Sequence, residues 1–205
     1  MKLPVVLSQL LLGGLASAQV NTNQSRPFQL VIHSGNRHIN GMTFTACHTG
    51  AAIESLCVFK GSGSAFYFNK SASSQPPLKD YEPLGVLVWN LPIDPSPYSE
   101  AMTLSHEPSS NVALPLFQPS SLPQLVTFDN QNRLSIISYI DDSRNPPVGG
   151  KPRALRNWYL CHTFYSGYTY RTLTWVFGNG LAKPQNPSCI KIDVRRRYLD
   201  AGARA

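Results

Sequence analysis

The stretch WYLCHTFYSGYTYRTLTWVF, residues 158–177, decides the fold class predicted for this chain. From 158 to 164, every second residue is Trp158, Leu160, His162 or Phe164, and three of these four are large and apolar, as on the buried face of a half-buried β-strand. Ser166 and Gly167 interrupt the alternation, which resumes from 168 to 177. Two alternating runs joined by such residues predict a β-hairpin.

The rest of the chain keeps this alternation, and helical spacing is nearly absent. Further strands are predicted at 28–33, 42–47, 53–59, 65–68, 86–91, 125–128, 134–140 and 189–198. The segment 50–54 is the single candidate for a helical turn. Many short strands punctuated by Gly, Pro, Asn and Ser predict an all-β fold, in the form of an antiparallel β-sandwich.

The segment 71–124 differs from the rest because it contains ten prolines. Proline cannot donate a hydrogen bond to a β-ladder, so it is disfavoured inside central strands. We therefore predict long Pro/Ser-rich connections here, with edge strands inserted, inside a single domain that extends from 19 to 200.

The first eighteen residues have the pattern of a secretory signal peptide. Lys2 supplies a positive charge, 3–15 is mostly apolar, and Ala16-Ser17-Ala18 is a small-residue cleavage signature. The apolar part is too short to span a bilayer. We therefore expect a secreted, extracellular protein that begins at Gln19, ends in a flexible tail at 201–205 and has no membrane anchor.

Export affects the expected oxidation state of the four cysteines, all of which follow the predicted signal peptide. An even number of cysteines in an exported chain predicts two disulfides, and four cysteines allow three pairings. We favour the pairing of nearest neighbours, Cys47 with Cys57 and Cys161 with Cys189. Four free thiols would suit a reducing compartment instead, and a zinc site is less expected because the chain has no CxxC pair.

Export also makes the Asn-x-Ser sequons relevant. Asn23 and Asn69 each begin such a sequon, whereas the proline after Asn186 disqualifies that position. Both qualifying sequons adjoin polar or loop-like sequence, so both should be accessible. We therefore predict a glycoprotein modified at Asn23 and Asn69.

The net charge of +7 is unevenly distributed along the chain. Between Asp80 and Asp142 there are eight acidic residues and one basic residue, whereas from Arg144 onward there are eleven basic and two acidic residues. This segregation favours an anionic extracellular partner near the C-terminal strands, unless the two halves neutralise each other in the fold. A nucleic-acid partner is not expected, because no motif that reads nucleic acid is present.

Residues suited to catalysis are sparse. Glu54 is the one candidate, because its neighbours are mostly apolar and desolvation could raise its pKa as a general acid requires. A glycosidase needs a second carboxylate, and the sequence does not identify one. The five histidines show no metal-binding spacing, so we expect no metal and no cofactor.

The tyrosines of the predicted hairpin are the candidates for ligand binding. Alternation places Tyr159 and Tyr165 on one face of the first strand, and Tyr168 and Tyr170 on one face of the second. Exposed tyrosine rings near Arg171 could stack on sugar rings while polar neighbours bind the hydroxyl groups. The alternative is cross-strand aromatic pairing that only stabilises the hairpin.

Two sequence blocks carry a resemblance to a known family. One is ACHTGAAIESLC at 46–57, and the other combines WYLC, GYTY, TLTW and NPSC between 158 and 189. Together with FQLV at 28–31, they resemble a family of uncharacterised small secreted proteins of filamentous ascomycete fungi, known as a domain of unknown function. The resemblance covers nearly the whole chain after the leader. It implies an extracellular fungal protein of mainly β structure framed by its cysteines, and it implies no catalytic residue.

Three functions are compatible with these observations. The first is a non-enzymatic binding protein at the cell wall or host interface, whose partner would be a cell-wall polysaccharide. The second is a carbohydrate-active hydrolase that uses Glu54. The third is a structural wall component without a discrete ligand.

Overall fold

The computed structural model describes residues 22–59, 61–120, 122–179 and 183–200. The predicted signal peptide at 1–18 and the predicted tail at 201–205 therefore lie outside the described residues. In the part of the chain that the structure describes, all helix and strand assignments are strands. They are β1 (Thr22–Gln24), β2 (Phe28–His33), β3 (Phe44–Gly50), β4 (Ile53–Val58), β5 (Tyr67–Ser71), β6 (Gly85–Leu91), β7 (Tyr98–His106), β8 (Val112–Gln118), β9 (Leu125–Phe128), β10 (Leu134–Asp141), β11 (Val148–Leu155), β12 (Trp158–Tyr165), β13 (Tyr168–Val176), β14 (Ile190–Lys191) and β15 (Asp193–Tyr198). Within the described ranges, no helix has the length and hydropathy that a membrane span requires.

Thirteen of these strands form one antiparallel sheet, and β2 and β15 form a second. The large sheet runs in the order β11-β10-β9-β6-β7-β8-β4-β13-β12-β14, with β3 beside β4, β5 beside β6 and β1 beside β5. Isolated bridges from Phe28 to Phe66 and from Arg133 to Arg195 attach the small sheet to the large one. The prediction of an all-β antiparallel fold is confirmed.

The hydrophobic core lies between the two sheets. Phe28 and Leu30 of the small sheet are fully buried, as are Phe66, Phe117 and Phe128 on the opposite side. The Phe28 ring meets that of Phe128 edge to face with centroids 5.7 Å apart, and Phe66 stacks on Phe117 at 5.5 Å. Burial of side chains of this size stabilises the fold by roughly 1.5–3 kcal/mol each.

The predicted hairpin is present as β12 and β13. Its register is unbroken along eight residue pairs, from Trp158–Trp175 down to the turn. Ser166 and Gly167 have φ values of 50° and 88°, and two successive positive φ angles characterise the type I′ turn that suits the twist of a hairpin. The indole N–H of Trp158 donates to the carbonyl of Leu134 at 2.8 Å. The base of the hairpin is therefore anchored in the core.

The prediction for the proline-rich segment 71–124 is wrong. It contains β6, β7 and β8, which are inner strands: β7 lies between β6 and β8, and β8 also borders β4 and β13. Nine of the ten prolines lie outside these strands, and only Pro115 lies within one. Proline affects mainly its own position and the residue before it, so the proline-free runs between them are free to form central strands.

Two smaller predictions also need correction. The segment 50–54 is not a helical turn but the connection between β3 and β4, where Gly50 pairs with Ile53 and Ala52 has a φ of 51°. The predicted last strand, 189–198, divides at Ile192 into β14, which pairs with β12, and β15, which pairs with β2. The chain changes sheets at this residue, and alternation alone does not reveal such a change.

The disulfides join Cys47 to Cys57 and Cys161 to Cys189, as the nearest-neighbour pairing predicted. Among the described residues no free cysteine remains. Thr172 pairs with Cys57 on one side and with Cys161 on the other, so both disulfides lie on the same face of the large sheet, away from the core. Two disulfides are compatible with an extracellular compartment.

Candidate functional site

Three of the predicted tyrosines come together at the turn of the hairpin. Tyr165 pairs directly with Tyr168, and the rings of Tyr168 and Tyr170 have centroids 6.0 Å apart. All three are on the face opposite to the buried Trp158 and Trp175, because side chains alternate along a strand. Tyr165, Tyr168 and Tyr170 are called the tyrosine face below.

The other two predicted ligand-binding residues lie elsewhere. Tyr159 is six residues before Tyr165 in the same strand, which separates them by about 20 Å, and the Lys191 ammonium lies 4.7 Å from the centroid of the Tyr159 ring. Arg171 pairs with His162, so it points to the opposite face of the hairpin from the tyrosine face. The structure therefore does not bring Tyr159 and Arg171 to the three clustered tyrosines.

A cleft with a volume of about 560 Å³ adjoins the tyrosine face at Tyr165. It is called the hairpin cleft below, and it lies between the end of the β12–β13 hairpin and the connection from β7 to β8. Its lining is formed by Ser105, His106, Glu107, Ser110, Val112, Leu114, His162, Thr163, Phe164, Tyr165, Ser166 and Asn186. The Phe164 side chain is 73% exposed. The cleft thus combines an accessible aromatic ring with hydroxyl, amide and imidazole groups.

Hydrogen bonds hold one wall of the hairpin cleft in place. The side-chain amide of Asn186 donates to the carbonyl of His162 at 2.8 Å, and the His162 N–H donates to the Ser188 hydroxyl at 2.9 Å. The adjoining disulfide joins Cys189 to Cys161, which lies in β12 directly before His162. This wall is therefore formed before any ligand arrives, which reduces the entropy lost on binding.

Among the residues that the structure describes, no three His, Cys, Asp or Glu side chains converge as ligands of a metal ion. His106 instead packs edge to face against Phe177, with ring centroids 5.6 Å apart. The cleft can bind a ligand by stacking and hydrogen bonding.

Glu54, the one candidate for catalysis, has a partner that the sequence did not identify. It lies in β4 opposite Phe117 of β8, and its carboxyl meets that of Glu100 from β7. Glu54 is 4% exposed and Glu100 is fully buried. The two carboxyl groups are hydrogen-bonded to each other. The Oε2 atom of Glu54 and both carboxyl oxygens of Glu100 have no other hydrogen-bond partner. We call these two residues the carboxyl pair.

A hydrogen bond between two carboxyl groups requires that one of them is protonated. Burial raises the pKa of Glu100 to about 7, and the neighbouring Glu54 carboxylate adds to the rise. Burial also raises the pKa of Glu54, while its hydrogen bond with Glu100 acts in the opposite direction. Neither residue is among those that line the hairpin cleft. The pair thus has the protonation behaviour of a general acid but does not line that cleft.

Replacing Glu100 with Gln should remove a pH dependence of stability. The folded protein raises the pKa of Glu100 to about 7 from its ordinary value of 4.5. The stability that this carboxyl contributes is therefore complete below pH 4.5 and is lost as the pH rises to about 7. The loss amounts to about 2–3 kcal/mol. Urea denaturation across this window should show the fall in the wild type and in a control, Asp142→Asn, but not in E100Q.

An equal fall in all three proteins would contradict the assignment of this pH dependence to Glu100. Asp142 is a suitable control because it is an exposed carboxylate. Its substitution removes the same charge without touching the carboxyl pair.

Ion pairs link the acidic middle of the chain to its basic C-terminal part. The Arg196 guanidinium contacts the Glu82 carboxylate, and Arg156 lies 3.6 Å from Asp129. Burial alone would raise the pKa of Glu82, but its pairs with Arg196 and Lys70 hold it below the ordinary value. The Arg196 side chain is only 6% exposed. At these positions the two halves neutralise each other, so Arg196 is not available to an anionic partner.

The two sequon asparagines lie in neighbouring strands but differ in exposure. Asn23 is exposed in β1, which pairs only with β5. Asn69 lies in β5 between β1 and β6, and its side-chain oxygen is buried without a hydrogen-bond partner. Asn23 therefore presents its side chain to solvent in the folded protein, whereas Asn69 does so only in part.

The sequence patterns missed Glu100 and most residues of the hairpin cleft. The wall formed by 105–114 belongs to the segment that was predicted as loops and edge strands, and nothing in its composition links it to the hairpin. One signal was available: His162 follows Cys161 directly, which placed this histidine beside a disulfide.

Comparison with characterised proteins and with solved structures finds no match. A family model does match, and it covers residues 25–198, which include every strand from β2 to β15 and both disulfides. The chain therefore belongs to the family described as Domain of unknown function (DUF7907).

Proposed function

We propose that this protein is an exported fungal glycoprotein that binds a cell-wall polysaccharide through the hairpin cleft and the tyrosine face, without catalysing a reaction on it. One observation carries the proposal: Tyr165 lines the cleft and also pairs with Tyr168 of the tyrosine face. The cleft and the tyrosine face therefore meet at Tyr165, at the end of the hairpin. The leader at 1–18 and the two disulfides support export.

The chemistry of this surface suits a sugar polymer. Aromatic rings present apolar faces on which the C–H faces of sugar rings can stack. The exposed rings of Phe164 and Tyr168 are on opposite faces of the hairpin end, and polar side chains of Ser105, Ser110 and Asn186 lie beside Phe164 in the cleft. A repeating polymer could contact the cleft and the tyrosine face at the same time, which would add the two weak contacts together.

The hydrolase alternative has less support at this surface. Hydrolysis of a glycosidic bond ordinarily uses two carboxyl groups that flank the bond. Glu107 is the single carboxylate among the residues that line the hairpin cleft. Glu54 and Glu100 form a pair, but both are almost completely buried, so a polymer has no access to them.

Retention on insoluble chitin, β-glucan and cellulose tests the proposal. We expect the wild type to bind at least one of them and to remain bound at high salt, because stacking is not screened by ions. The double variant Tyr165→Ala, Tyr168→Ala should bind at least about ten-fold more weakly, since losing 1.4 kcal/mol of contact energy has that effect. Tyr139→Ala is the matched control, because this tyrosine is 50% exposed but lies in β10, away from the cleft.

Other outcomes would contradict the proposal in different ways. Unchanged retention of the double variant would exclude the tyrosine face, and loss of retention at high salt would assign binding to charge. Release of soluble sugar in the same tubes would favour the hydrolase. Absence of both retention and release would leave the structural wall component as the remaining hypothesis.

A further inference from the structure

Tyr170 connects the tyrosine face to the β3–β4 hairpin. Its hydroxyl donates to the backbone carbonyl of His48 at 3.2 Å. His48 is the cross-strand partner of Glu54, and its Nδ1 atom lies 3.9 Å from the Glu54 Oε1 atom. Tyr170 is therefore anchored to the backbone of the residue that pairs with Glu54, while its ring and the carboxyl pair lie on opposite faces of the sheet.

The carboxyl pair has little compensation for negative charge. The strand β7, which contains Glu100, lies between β6 and β8, and neither of these two strands contains a titratable side chain. Besides Glu100, β7 itself contributes Tyr98 and His106. In β13, Arg171 adjoins Thr172, which pairs with Cys57, three residues beyond Glu54. Among the described residues, the only group in ion-pair contact with either carboxyl is His48, a positive charge only in its protonated form.

We propose that the carboxyl pair makes polysaccharide binding dependent on pH, because a proton shared by Glu54 and Glu100 holds the β3–β4 hairpin in place beneath the tyrosine face. This inference rests on the proposed function and adds a regulation to the same surface. When both carboxyls are ionised, two negative charges lie in a buried site without a compensating cation, and the arrangement is destabilised.

The end of the β3–β4 hairpin is the part that can move when both carboxyls are ionised. His48 has a side chain that is 75% exposed, and the turn at Ala51 is also exposed, whereas the Cys47–Cys57 disulfide restrains the strands beyond. Displacement of this end would let water reach the Glu54 carboxylate. The same displacement would move the His48 carbonyl away from the Tyr170 hydroxyl, and the tyrosine face would lose its anchor. Since burial raises the pKa of Glu100 to about 7, binding should be stronger in acid than above neutrality.

Retention of the full protein on insoluble chitin, β-glucan and cellulose, at pH 5 and at pH 8, tests this inference. We expect the wild type and the control Asp142→Asn to bind at least about five-fold more weakly at pH 8, the lower range for linked sites. Glu100→Gln should bind equally at both values, because the shared proton is replaced by a permanent N–H donor. Tyr170→Phe keeps the ring but removes the bond to His48, so its retention should also be independent of pH.

Each of the following results would overturn the inference. Equal retention of the wild type at both pH values would overturn the regulation alone, since polysaccharide binding would then be intact. A wild-type pH profile in Glu100→Gln, or in Glu54→Gln if the first variant does not fold, would show that the carboxyl pair is not the sensor. A wild-type profile in Tyr170→Phe would exclude the anchor. Absence of retention at both pH values would overturn the proposed function and the regulation together.

Discussion

Replacing Trp158 with Ala should lower the free energy of unfolding by about 4 kcal/mol, in the middle of the usual range for a buried aromatic residue. Trp158 is fully buried, and its ring packs against Trp175 with centroids 4.7 Å apart. Its indole N–H also donates to the carbonyl of Leu134 at 2.8 Å, and this bond joins the β12–β13 hairpin to β10. The substitution removes this packing, leaves a cavity and leaves the buried Leu134 carbonyl without its hydrogen-bond donor. Each of these effects is unfavourable.

Phe164→Ala provides the matched control in the same strand and on the same face. Its side chain is 73% exposed, so its loss should change the stability by less than about 0.5 kcal/mol. Urea denaturation monitored by circular dichroism measures both variants. A similar loss of stability in the two proteins would contradict the placement of Trp158 in the core. Phe164→Ala should instead weaken polysaccharide retention, because Phe164 lines the hairpin cleft.

Removing the disulfide between Cys161 and Cys189, with both residues changed to Ala, should cost about 3.6 kcal/mol of stability. This disulfide closes a loop with a sequence separation of 28 residues, whereas the Cys47–Cys57 disulfide closes one of 10. A longer loop leaves more freedom to the unfolded chain when the link is absent. The corresponding Cys47→Ala, Cys57→Ala protein should therefore lose less, about 2.7 kcal/mol.

The two double variants serve as controls for each other. Thermal and urea denaturation of both proteins should rank the longer loop as the more stabilising link. The reverse order would show that strand packing, and not the unfolded chain, determines the contribution of each disulfide. The Cys161–Cys189 variant should also weaken polysaccharide binding, because the Asn186 wall of the hairpin cleft lies next to that link.

Several features of the fold follow from neighbours along the chain, and these were predictable. Alternation of side chains from 158 to 177, with Ser166 and Gly167 between the two runs, predicted the β12–β13 hairpin and its turn. The disulfide pairing was also predictable, because each cysteine joins the one nearest in sequence. The segment 71–124 was misread because its proline content describes the segment as a whole, while each proline acts locally.

The candidate site was predictable only in part. Alternation placed Tyr165 on one face of β12 and placed Tyr168 and Tyr170 on one face of β13, but only the register of the hairpin shows that the three share a face. Alternation also places Arg171 opposite Tyr170, and Tyr159 is six positions from Tyr165, so the sequence pattern already separates these two residues from the other tyrosines. The uneven charge distribution suggested a basic surface at the last strand. The structure instead buries Arg196 against Glu82, since these two residues are neighbours only after the C-terminal strand has joined β2.

The sequence by itself determined that this protein is an all-β chain with the β12–β13 hairpin and two disulfides between nearest cysteines, because each of these depends on local order. Only the tertiary structure decided which groups meet at the hairpin cleft and which carboxyl adjoins Glu54. Glu54 pairs with Phe117 of β8, and Phe117 pairs with Met102 of β7, two residues from Glu100. Such contacts depend on the order and register of strands distant in sequence, and the packing of the whole core determines these.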